Sequence, residues 1–346
     1  MRIVLDAMGS DNCPEPELQA SIQAAEEWEE PIFLVGPIDQ LKSRLNELGG
    51  VPPSVQLVDA QETITMNDKG LKLALKAKRR DSKTSMAVGI DLVKNGGADA
   101  FITAGNTGGA LTTAFFRLGT LKGLDRPALT TLIPVKDGFC TILDIGANPD
   151  CKPEHLLQFA VMGCVYSNAV LKIENPRLGL LSNGEEAGKG DQLVRETFPL
   201  LENSGLNFIG NVEGKELFGG EADVVVTDGF TGNVMMKASE AVAKLLTDIL
   251  KEELMSSTRS KIGALLAKPA FVSLKSKMDP DEIGAAPLLG INGLVFVGHG
   301  RSNARAILSA IRTARNAIGS DLLSALSIAI QDRLANMPSQ EEQASA

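Results

Sequence analysis

Short apolar runs alternate with longer amphipathic stretches along most of the chain. Runs at residues 3–5, 33–35, 55–58 and 100–103 have the length of strands, and a stretch with helical spacing of apolar residues follows each. This alternation predicts a three-layer α/β/α fold, in which helices cover both faces of a largely parallel sheet. Ligands of such sheets bind at the carboxyl ends of the strands, so we expect the loops after the apolar runs to form the site.

Two segments depart from this alternation. Residues 128–135 and 139–145 are strand-like runs with a hairpin turn between them. A long stretch with helical spacing begins at 234, and we expect residues 234–278 to project as a helical hairpin that belongs to the same domain, 1–336. The polar end of the chain, 337–346, is expected to be a disordered tail.

The composition narrows the class of protein. A chain of 346 residues with 44% hydrophobic content has enough apolar material for a sizeable core, and its net charge of −9 argues against binding to nucleic acid. The four cysteines lack CxxC spacing, and the dinucleotide and Walker patterns are missing, so neither a metal nor a cofactor is expected. An aspartate at position 6 interrupts any signal-peptide core, and no apolar run approaches the roughly 20 residues of a membrane span. We expect a cytoplasmic protein whose contact with the inner face of the membrane, if any, is peripheral.

The stretch ITAGNTGGAL, residues 102–111, combines the end of a strand, a glycine-rich turn and the start of a helix. Such a turn directs free backbone N–H groups and a helix dipole at one point, which suits an anion such as phosphate. A tight connection that needs glycine for its geometry alone explains the stretch equally well. The rest of the chain has to decide between these interpretations.

Six loops that combine glycine with polar side chains follow apolar runs. Each is a weak signal alone, but six loops at one edge of one sheet are difficult to explain as turns. They are DAMGSD at 6–11, TAGNTGG at 103–109, DIGANPD at 144–150, SNGEEAGKG at 182–190, TDGFTGN at 227–233 and GHGRS at 298–302.

Lys189 and Asn233 are the candidate catalytic residues. An ammonium ahead of a helix would add to anion binding or stabilise an oxyanion, although most loop lysines are simply solvated. An asparagine amide could donate to the same oxyanion, or Asn233 could be the N-cap of the helix that it starts. His299 could be an acid or base or a hydrogen-bonded loop residue, and for the aspartates we favour orientation over capping or cation binding. The residues expected to bind substrate are Asp6, Gly9, Asn106, Thr107, Gly108, Gly109, Asp144, Asn148, Asp228 and His299.

Taken together, the motifs resemble those of a known family. DAMGSD, TAGNTGGAL, LDIGAN, LLSNGEEAGKG, VVVTDGFTGNVMMK and GHGRSN are similar, in this order and along nearly the whole chain, to the bacterial phosphate acyltransferases called PlsX. The resemblance implies an enzyme that moves a fatty acyl group from acyl carrier protein to inorganic phosphate. Its product, acyl phosphate, would feed the synthesis of phosphatidic acid and phospholipids, with a glycerol-3-phosphate acyltransferase downstream.

The resemblance also carries expectations about structure and residues. It implies a fold similar to phosphotransacetylases and isopropylmalate-type dehydrogenases, and a homodimer. Lys189 and Asn233 match the lysine and asparagine thought to be central in that family, and the turn at 106–109 would lie in the substrate site.

Phosphate is a nucleophile at neutral pH and thioesters are reactive acyl donors, so direct attack needs positioning and oxyanion stabilisation rather than a protein nucleophile. A cysteine nucleophile is disfavoured because none of the four cysteines lies in a glycine-rich motif. The alternatives are a phosphotransacetylase-like enzyme that uses acyl-CoA, and a non-catalytic sensor of phosphate or an acyl ligand. A dehydrogenase of the related fold is less favoured.

The segment between Arg259 and Lys277 reverses the local charge. It has five basic residues and no acidic one, and apolar residues lie among them. Such a pattern suits an anionic membrane surface, and it would equally suit an acidic carrier protein. Alternatively, the apolar residues form a helical dimer interface with a solvated basic rim. We expect the long helix to lie in the dimer and the basic tip to lie on the membrane.

Overall fold

A computed structural model describes residues 1–79, 81–272 and 279–335. Within these ranges the chain forms one eleven-stranded sheet. The strands are β1 (Ile3–Asp6), β2 (Ile32–Gly36), β3 (Val55–Asp59), β4 (Ala100–Thr103), β5 (Ala128–Val135), β6 (Gly138–Leu143), β7 (Leu178–Leu181), β8 (Phe208–Val212), β9 (Val224–Val226), β10 (Ala285–Leu289) and β11 (Leu294–Gly298).

Helices connect most of these strands. In chain order they are α1 (Glu15–Trp28), α2 (Ile38–Glu47), α3 (Gly70–Lys78), α4 (Ser85–Lys94), α5 (Thr107–Leu118), α6 (Pro153–Ala169), α7 (Gln192–Glu202), α8 (Gly214–Gly219), α9 (Gly229–Met255), α10 (Thr258–Leu266), α11 (Pro280–Ile283), α12 (Ala304–Gly319) and α13 (Leu322–Ala335). The predicted elements are confirmed to within a few residues. No prediction covered the short helices α8 and α11 or the separate strands β10 and β11.

The sheet is largely parallel, as predicted, but its direction changes in the middle. The strand order is β3-β2-β1-β4-β11-β10-β5-β6-β9-β7-β8. Strand β10 is antiparallel to both β11 and β5, and β5 is antiparallel to β6. After three reversals, β6, β9 and β7 run opposite to β1, β4 and β11.

This polarity corrects the prediction that all six glycine loops lie at one edge of the sheet. The loops after β1, β4 and β11 lie at one edge, and the loops after β6, β9 and β7 lie at the other. The prediction was wrong because β10 and β5 insert between two parallel halves, and no local pattern reports which strands become neighbours. We call the two groups the first edge and the second edge.

Helices cover both faces of the sheet, which confirms the three-layer architecture. On one face, buried residues of α1, α2, α6, α7, α12 and α13 form a single apolar cluster with the strands, for example Phe159 with Leu178 and Leu326. On the other face, α4 and α5 pack over the first half of the sheet through residues such as Ile90 and Ala114. A smaller cluster joins α8 and α9 to the second half.

Helix α9 begins five residues earlier than the apolar spacing predicted. Asp228 is its N-cap, and the carboxylate accepts hydrogen bonds from the N–H groups of Phe230 and Thr231, both at 2.9 Å. Asn233 therefore lies inside the helix, and its interpretation as an N-cap is wrong.

The outer part of α9 and the helix α10 have exposed apolar side chains. Leu245 and Leu246 of α9 are 58% and 62% exposed, and Leu265 and Leu266 of α10 are 71% and 79% exposed. Residues 273–278 of the predicted projection lie outside the described residues, as does the predicted tail. None of the helices in the described ranges combines the length and the apolarity needed to span a bilayer.

Candidate active site

At the first edge, Asp6 is buried and links two loops. Its carboxylate accepts hydrogen bonds from the Thr103 hydroxyl at 2.8 Å and from the Met8 N–H at 3.1 Å. Burial raises the pKa of Asp6, while these hydrogen bonds act in the opposite direction. Because only 1% of this residue is exposed, its direct task is to orient the ends of β1 and β4.

The loop after β1 lies in close contact with the other two loops of the first edge. A Cβ atom built on Gly9 would be 2.8 Å from the backbone nitrogen of Gly105, so a side chain at Gly9 would separate the loops. The N–H of Asp11 donates to the carbonyl of Gly300 at 2.7 Å. The glycine at position 9 is thus required by the approach of two backbones.

The N-terminus of α5 is the glycine-rich turn identified from the sequence, and Asn106 is its N-cap. The side-chain oxygen of Asn106 accepts from the Gly109 N–H at 2.9 Å, and its amide nitrogen donates to the carbonyls of Thr65 at 3.0 Å and Asp68 at 3.1 Å. Asn106 therefore holds both the helix end and the loop that precedes α3.

Anion binding and tight packing each explain part of the glycine-rich turn. Within the described residues, the N–H groups of Thr107 and Gly108 donate to no protein acceptor and remain available to an anion. A Cβ atom built on Gly109 would be 2.8 Å from a methyl carbon of Ile64, so that glycine serves packing. Two amides of the predicted phosphate cradle are thus free, and the third is occupied by the cap.

At the second edge, Asp144 organises the loop after β6. One carboxylate oxygen accepts from the N–H groups of Leu129, Gly146 and Ala147, and the other accepts from the backbone and side-chain nitrogens of Asn148, at distances of 2.6 to 3.2 Å. Burial raises the pKa of Asp144, and the hydrogen bonds from Ala147 and Asn148 oppose this rise.

Asn148 is also held on both sides. Its amide nitrogen donates to the carbonyl of Pro127 at 2.7 Å, and its own carbonyl accepts from the Gly229 N–H at 2.8 Å. The residue is 6% exposed. The loop after β6 and the start of α9 are therefore fixed to each other.

The same contact positions Asn233. A Cβ atom built on Gly146 would be 2.7 Å from the amide nitrogen of Asn233, and one built on Gly232 would overlap the carbonyl oxygen of Asp144. The side chain of Asn233 is half-buried and makes no hydrogen bond to any other described residue. Its amide is thus fixed in place by packing while its polar atoms stay unused.

Lys189 lies in the loop after β7, ahead of α7. The loop is closed by a hydrogen bond from the Gly190 N–H to the Asn183 side chain at 3.0 Å and by one from the Lys189 N–H to the carbonyl of Glu186 at 2.9 Å. The Lys189 side chain is exposed, and within the described ranges its ammonium forms no ion pair. Strand β9 lies between β6 and β7, so Lys189 and Asn233 follow neighbouring strands at one edge.

Helix α9 connects the two edges. Asn233 lies near its start at the second edge, while Lys237 and Glu240, one and two turns further on, act electrostatically on His299 at the first edge. The pKa of His299 is lowered by burial and by the positive charges of Arg301 and Lys237. The Nδ1 atom of His299 accepts a hydrogen bond from the Arg301 N–H at 3.2 Å. A rise of 1.5 Å per residue separates Asn233 from Lys237 by about 6 Å along the helix axis.

The predicted site residues thus fall into two sets that α9 spans. The structure does not bring Lys189 into hydrogen-bonding contact with Asn233 or with the turn at 106–109 within the described residues. The first edge holds Asp6, Gly9, Asn106, Thr107, Gly108, Gly109 and His299, and the second holds Asp144, Asn148, Lys189, Asp228 and Asn233.

Three carboxylates converge near the Lys189 loop. Glu185, Glu213 and Glu216 offer oxygens close enough together for a cation. The Lys215 ammonium already lies at 2.6, 3.5 and 3.1 Å from them. This ammonium compensates their charge and ties the loop after β7 to α8.

Comparison with known proteins identifies the family. Residues 1–325 match the family described as fatty acid synthesis protein. The chain is 47% identical over 313 residues to a phosphate acyltransferase of Acidobacterium capsulatum. The alignment covers 90% of this chain and 92% of the relative. It is 46% identical over 314 residues to a phosphate acyltransferase of Geotalea uraniireducens, in an alignment that covers 91% of this chain and 90% of the relative. The chain belongs to the phosphate acyltransferase family.

Membership of this family confirms the prediction of an acyltransferase enzyme. A solved phosphotransacetylase from Streptococcus pyogenes has the same fold, with a TM-score of 0.62 and 17% identity over 91% of this chain and 94% of that chain. The fold expected from the motifs is therefore confirmed as well.

Thr103 is a site residue that the motifs did not single out for a task. Its hydroxyl orients the Asp6 carboxylate. This contact depends on the pairing of β1 with β4, in which Leu5 lies beside Ile102, so no local sequence signal indicated it.

Proposed function

We propose that this phosphate acyltransferase transfers a fatty acyl group from acyl carrier protein to inorganic phosphate by direct attack on the thioester. The observation that carries the proposal is a difference among the polar motif residues. The side chains of Asp6, Asn106, Asp144, Asn148 and Asp228 all form structural hydrogen bonds, whereas the side chains of Lys189 and Asn233 form none with other described residues. Side chains that the fold positions but does not use are available to a substrate.

The reaction requires no covalent enzyme intermediate. A phosphate oxygen attacks the thioester carbonyl carbon and forms a C–O bond, which leaves negative charge on the carbonyl oxygen. Collapse of this tetrahedral intermediate breaks the C–S bond, and the carrier thiolate departs and takes a proton from solvent. The Lys189 ammonium and the Asn233 amide at the second edge would stabilise the oxyanion, and the free N–H groups of Thr107 and Gly108 at the first edge would hold an anionic group of the substrates, either phosphate or part of the acyl-carrier arm.

The cysteines support this direct route. Burial raises the pKa of Cys140 and of Cys151 to about 12, and that of Cys13 to about 11. The thiolate is the nucleophilic form, so these cysteines are almost entirely unreactive thiols at neutral pH. Cys164 is buried in the apolar cluster between the sheet and α6.

The remaining predicted residues are assigned indirect tasks. Asp6, Gly9 and Asn106 shape the first edge, and Asp144, Asn148 and Asp228 shape the second edge. Gly109 permits the turn to pack. His299 lies near α9 at the first edge and would contact the substrate there. None of these assignments requires a metal or a cofactor.

Lys189→Ala tests the assignment of the ammonium. Formation of acyl phosphate from acyl carrier protein thioester and phosphate should fall by about 10²–10³-fold in kcat, because one stabiliser of the oxyanion is lost. Lys42→Ala removes an exposed lysine from α2 and should leave kcat unchanged. Near-normal turnover of the Lys189 variant would remove this lysine from the mechanism.

The donor and the route are tested with the wild-type enzyme. Acyl phosphate should form faster from the carrier thioester than from acyl-CoA, and the opposite preference would favour a phosphotransacetylase-like enzyme. With a radiolabelled acyl donor, no label should stay on the denatured protein. A stable adduct would contradict direct attack.

We further propose a homodimer in the cytoplasm that contacts the membrane with its tip. The stripe of Val242, Leu245 and Ile249 along α9 has helical spacing and is about half exposed, so a second copy would cover it. Leu245→Asp should reduce the mass measured by light scattering to that of one chain.

The tip formed by α10 would contact the membrane. Apolar residues of this helix, Ile262, Leu265 and Leu266, lie near Arg259 and Lys261. This combination suits an anionic bilayer and delivery of acyl phosphate to a glycerol-3-phosphate acyltransferase. Liposome flotation that survives replacement of Leu265 and Leu266 by Glu would contradict contact through the tip.

A further inference from the structure

Helix α3 presents a basic and apolar face to solvent. Residues 69–79 contain five basic residues and no acidic residue, in a chain of net charge −9. At 100° per residue, Leu71, Leu75 and Lys78 lie on one side of the helix, and Leu73 lies on the opposite side. Leu71 is 76% exposed and Leu75 is 62% exposed. Leu71 and Leu75 therefore do not contribute to the hydrophobic core of the chain.

The inner side of α3 is fixed to the glycine-rich turn. A methyl carbon of Leu73 lies 3.4 Å from the Cβ position of Gly108, and another lies 3.4 Å from that of Gly109. The loop before α3 is held by the amide of Asn106, through the carbonyls of Thr65 and Asp68. A molecule on the outer face is therefore only about one helix diameter, roughly 10 Å, from the free N–H groups of the turn.

Helix α5 extends the apolar part of this face. Phe115 is 42% exposed and Phe116 is 46% exposed, and their rings contact each other edge to face. The Lys78 ammonium lies 5.2 Å from the centre of the Phe116 ring, which joins the two helices at the surface. We call Leu71, Leu75, Lys78, Phe115 and Phe116 the α3 face.

The positive charge of helix α3 and its N-cap is only partly neutralised within the described residues. Lys72 and Lys76 both form ion pairs with the buried carboxylate of Asp68, at 2.7 and 2.8 Å. Lys69 and Lys78 form no ion pair with any other described residue. Their charge is available to an acidic partner.

We propose that the α3 face is the docking surface for the acidic carrier protein that delivers the acyl thioester. The proposal rests on the function proposed above and names the surface that recognises the donor. A positive face on a negatively charged protein steers an acidic partner to one location, and the exposed leucines supply apolar contact once it has docked. A second copy of this chain fits less well, because a two-fold contact would bring Lys78 of each copy close to the other.

Two pairs of substitutions test the proposal independently. Lys69→Glu with Lys78→Glu reverses the free charge, and Leu71→Gln with Leu75→Gln removes the apolar contact. All four side chains are exposed, so the fold should be unaffected, as circular dichroism would check. Lys42→Glu with Lys122→Glu is the matched control, because it makes the same change of charge at exposed positions elsewhere.

Each pair should raise the KM for acyl carrier protein by about tenfold or more, while kcat at saturating donor stays within about twofold. The Kd of fluorescently labelled carrier protein should rise in parallel, and the charge-reversed variant should lose most of the salt dependence of that Kd. The control pair should change neither constant.

Three outcomes would overturn the proposal. Unchanged KM and Kd in both variant pairs would show that the carrier docks elsewhere. A change of oligomeric mass with unchanged Kd would assign the face to a second copy, and loss of binding to anionic vesicles with unchanged Kd would assign it to the membrane. Failure of the proposed function is distinguishable, because the wild-type enzyme would then form no acyl phosphate, although binding of the carrier could still be measured.

Discussion

Replacing Asp144 by asparagine should destabilise the fold strongly, although the side chains have nearly the same shape. The carboxylate is buried and accepts five hydrogen bonds, three on one oxygen and two on the other. An amide has one acceptor oxygen, so its NH₂ group must face N–H donors, and at least two of them lose their acceptor. Hydrogen bonds to charged groups contribute about 1.5–3 kcal/mol each, so we expect a loss of about 3–6 kcal/mol.

This loss corresponds to a measurable change in the thermal midpoint. An unfolding entropy of about 2.1 cal/mol/K per residue gives about 0.7 kcal/mol/K for 346 residues, so Tm should fall by about 4–8 °C. Calorimetry of variant and wild type at one scan rate measures the difference. Asp228→Asn is the matched control, because asparagine caps a helix as well as aspartate does, and its Tm should change by no more than about 1 °C.

One result would refute this reasoning. If Asp144→Asn left Tm unchanged and lowered kcat, the carboxylate would act on the substrate and the loop after β6 would not depend on it. An equally large fall in Tm in Asp228→Asn would also contradict the hydrogen-bond argument. In that control the asparagine retains a side-chain oxygen that can accept from the N–H groups at the start of α9.

The remaining predictions concern the cap, a buried acid and two glycines. Asn106→Ala should lower stability by about 2–3 kcal/mol, because it removes an N-cap and two further hydrogen bonds, whereas Thr107→Ala should leave Tm unchanged in the same calorimetric measurement. Burial raises the pKa of Glu17 from 4.5 to about 7, so the folded state holds a proton that the unfolded state releases, and stability should fall as the pH rises from about 5 through 7. Glu17→Gln should remove about 3 kcal/mol of that pH dependence, as measured by thermal unfolding across the same range. Gly232→Ala should destabilise severely because its Cβ would overlap a backbone carbonyl oxygen, and Gly263→Ala, with open space around it in α10, should stabilise by about 0.5–1 kcal/mol in chemical denaturation.

The elements of the fold were predictable because local patterns determine them. The glycine-rich stretch at 102–111 indicated a strand, a turn and a helix, and the structure has β4, the turn and α5 there. The predicted start of α9 was too late in the chain. The apolar spacing begins at Val234, whereas the helix is capped by Asp228, six residues earlier. An aspartate followed by glycine after a strand was a usable signal for that cap.

The arrangement of the two edges was not predictable from single motifs. Each motif indicates that a strand has ended, but the direction of a strand depends on its neighbours in the sheet. Strand β10 is antiparallel to both β11 and β5, so β5 runs in the direction of β11, and the antiparallel pairing of β5 with β6 then reverses the second half. The pairing of β10 with β5 joins residues more than 150 positions apart, such as Leu288 and Leu129, and hydrophobic periodicity carries no information about it.

The contact between Asp144 and α9 connects the loop after β6 to the amide that we propose as an oxyanion donor. Gly232 and Gly146 allow the helix and the loop to meet at van der Waals distance, and that contact fixes the amide of Asn233. The five hydrogen bonds of Asp144 in turn fix the loop. A perturbation of Asp144 therefore moves Asn233, and its effect on kcat should match that of a displaced oxyanion donor rather than a lost binding contact, so kcat should fall while KM for phosphate stays constant.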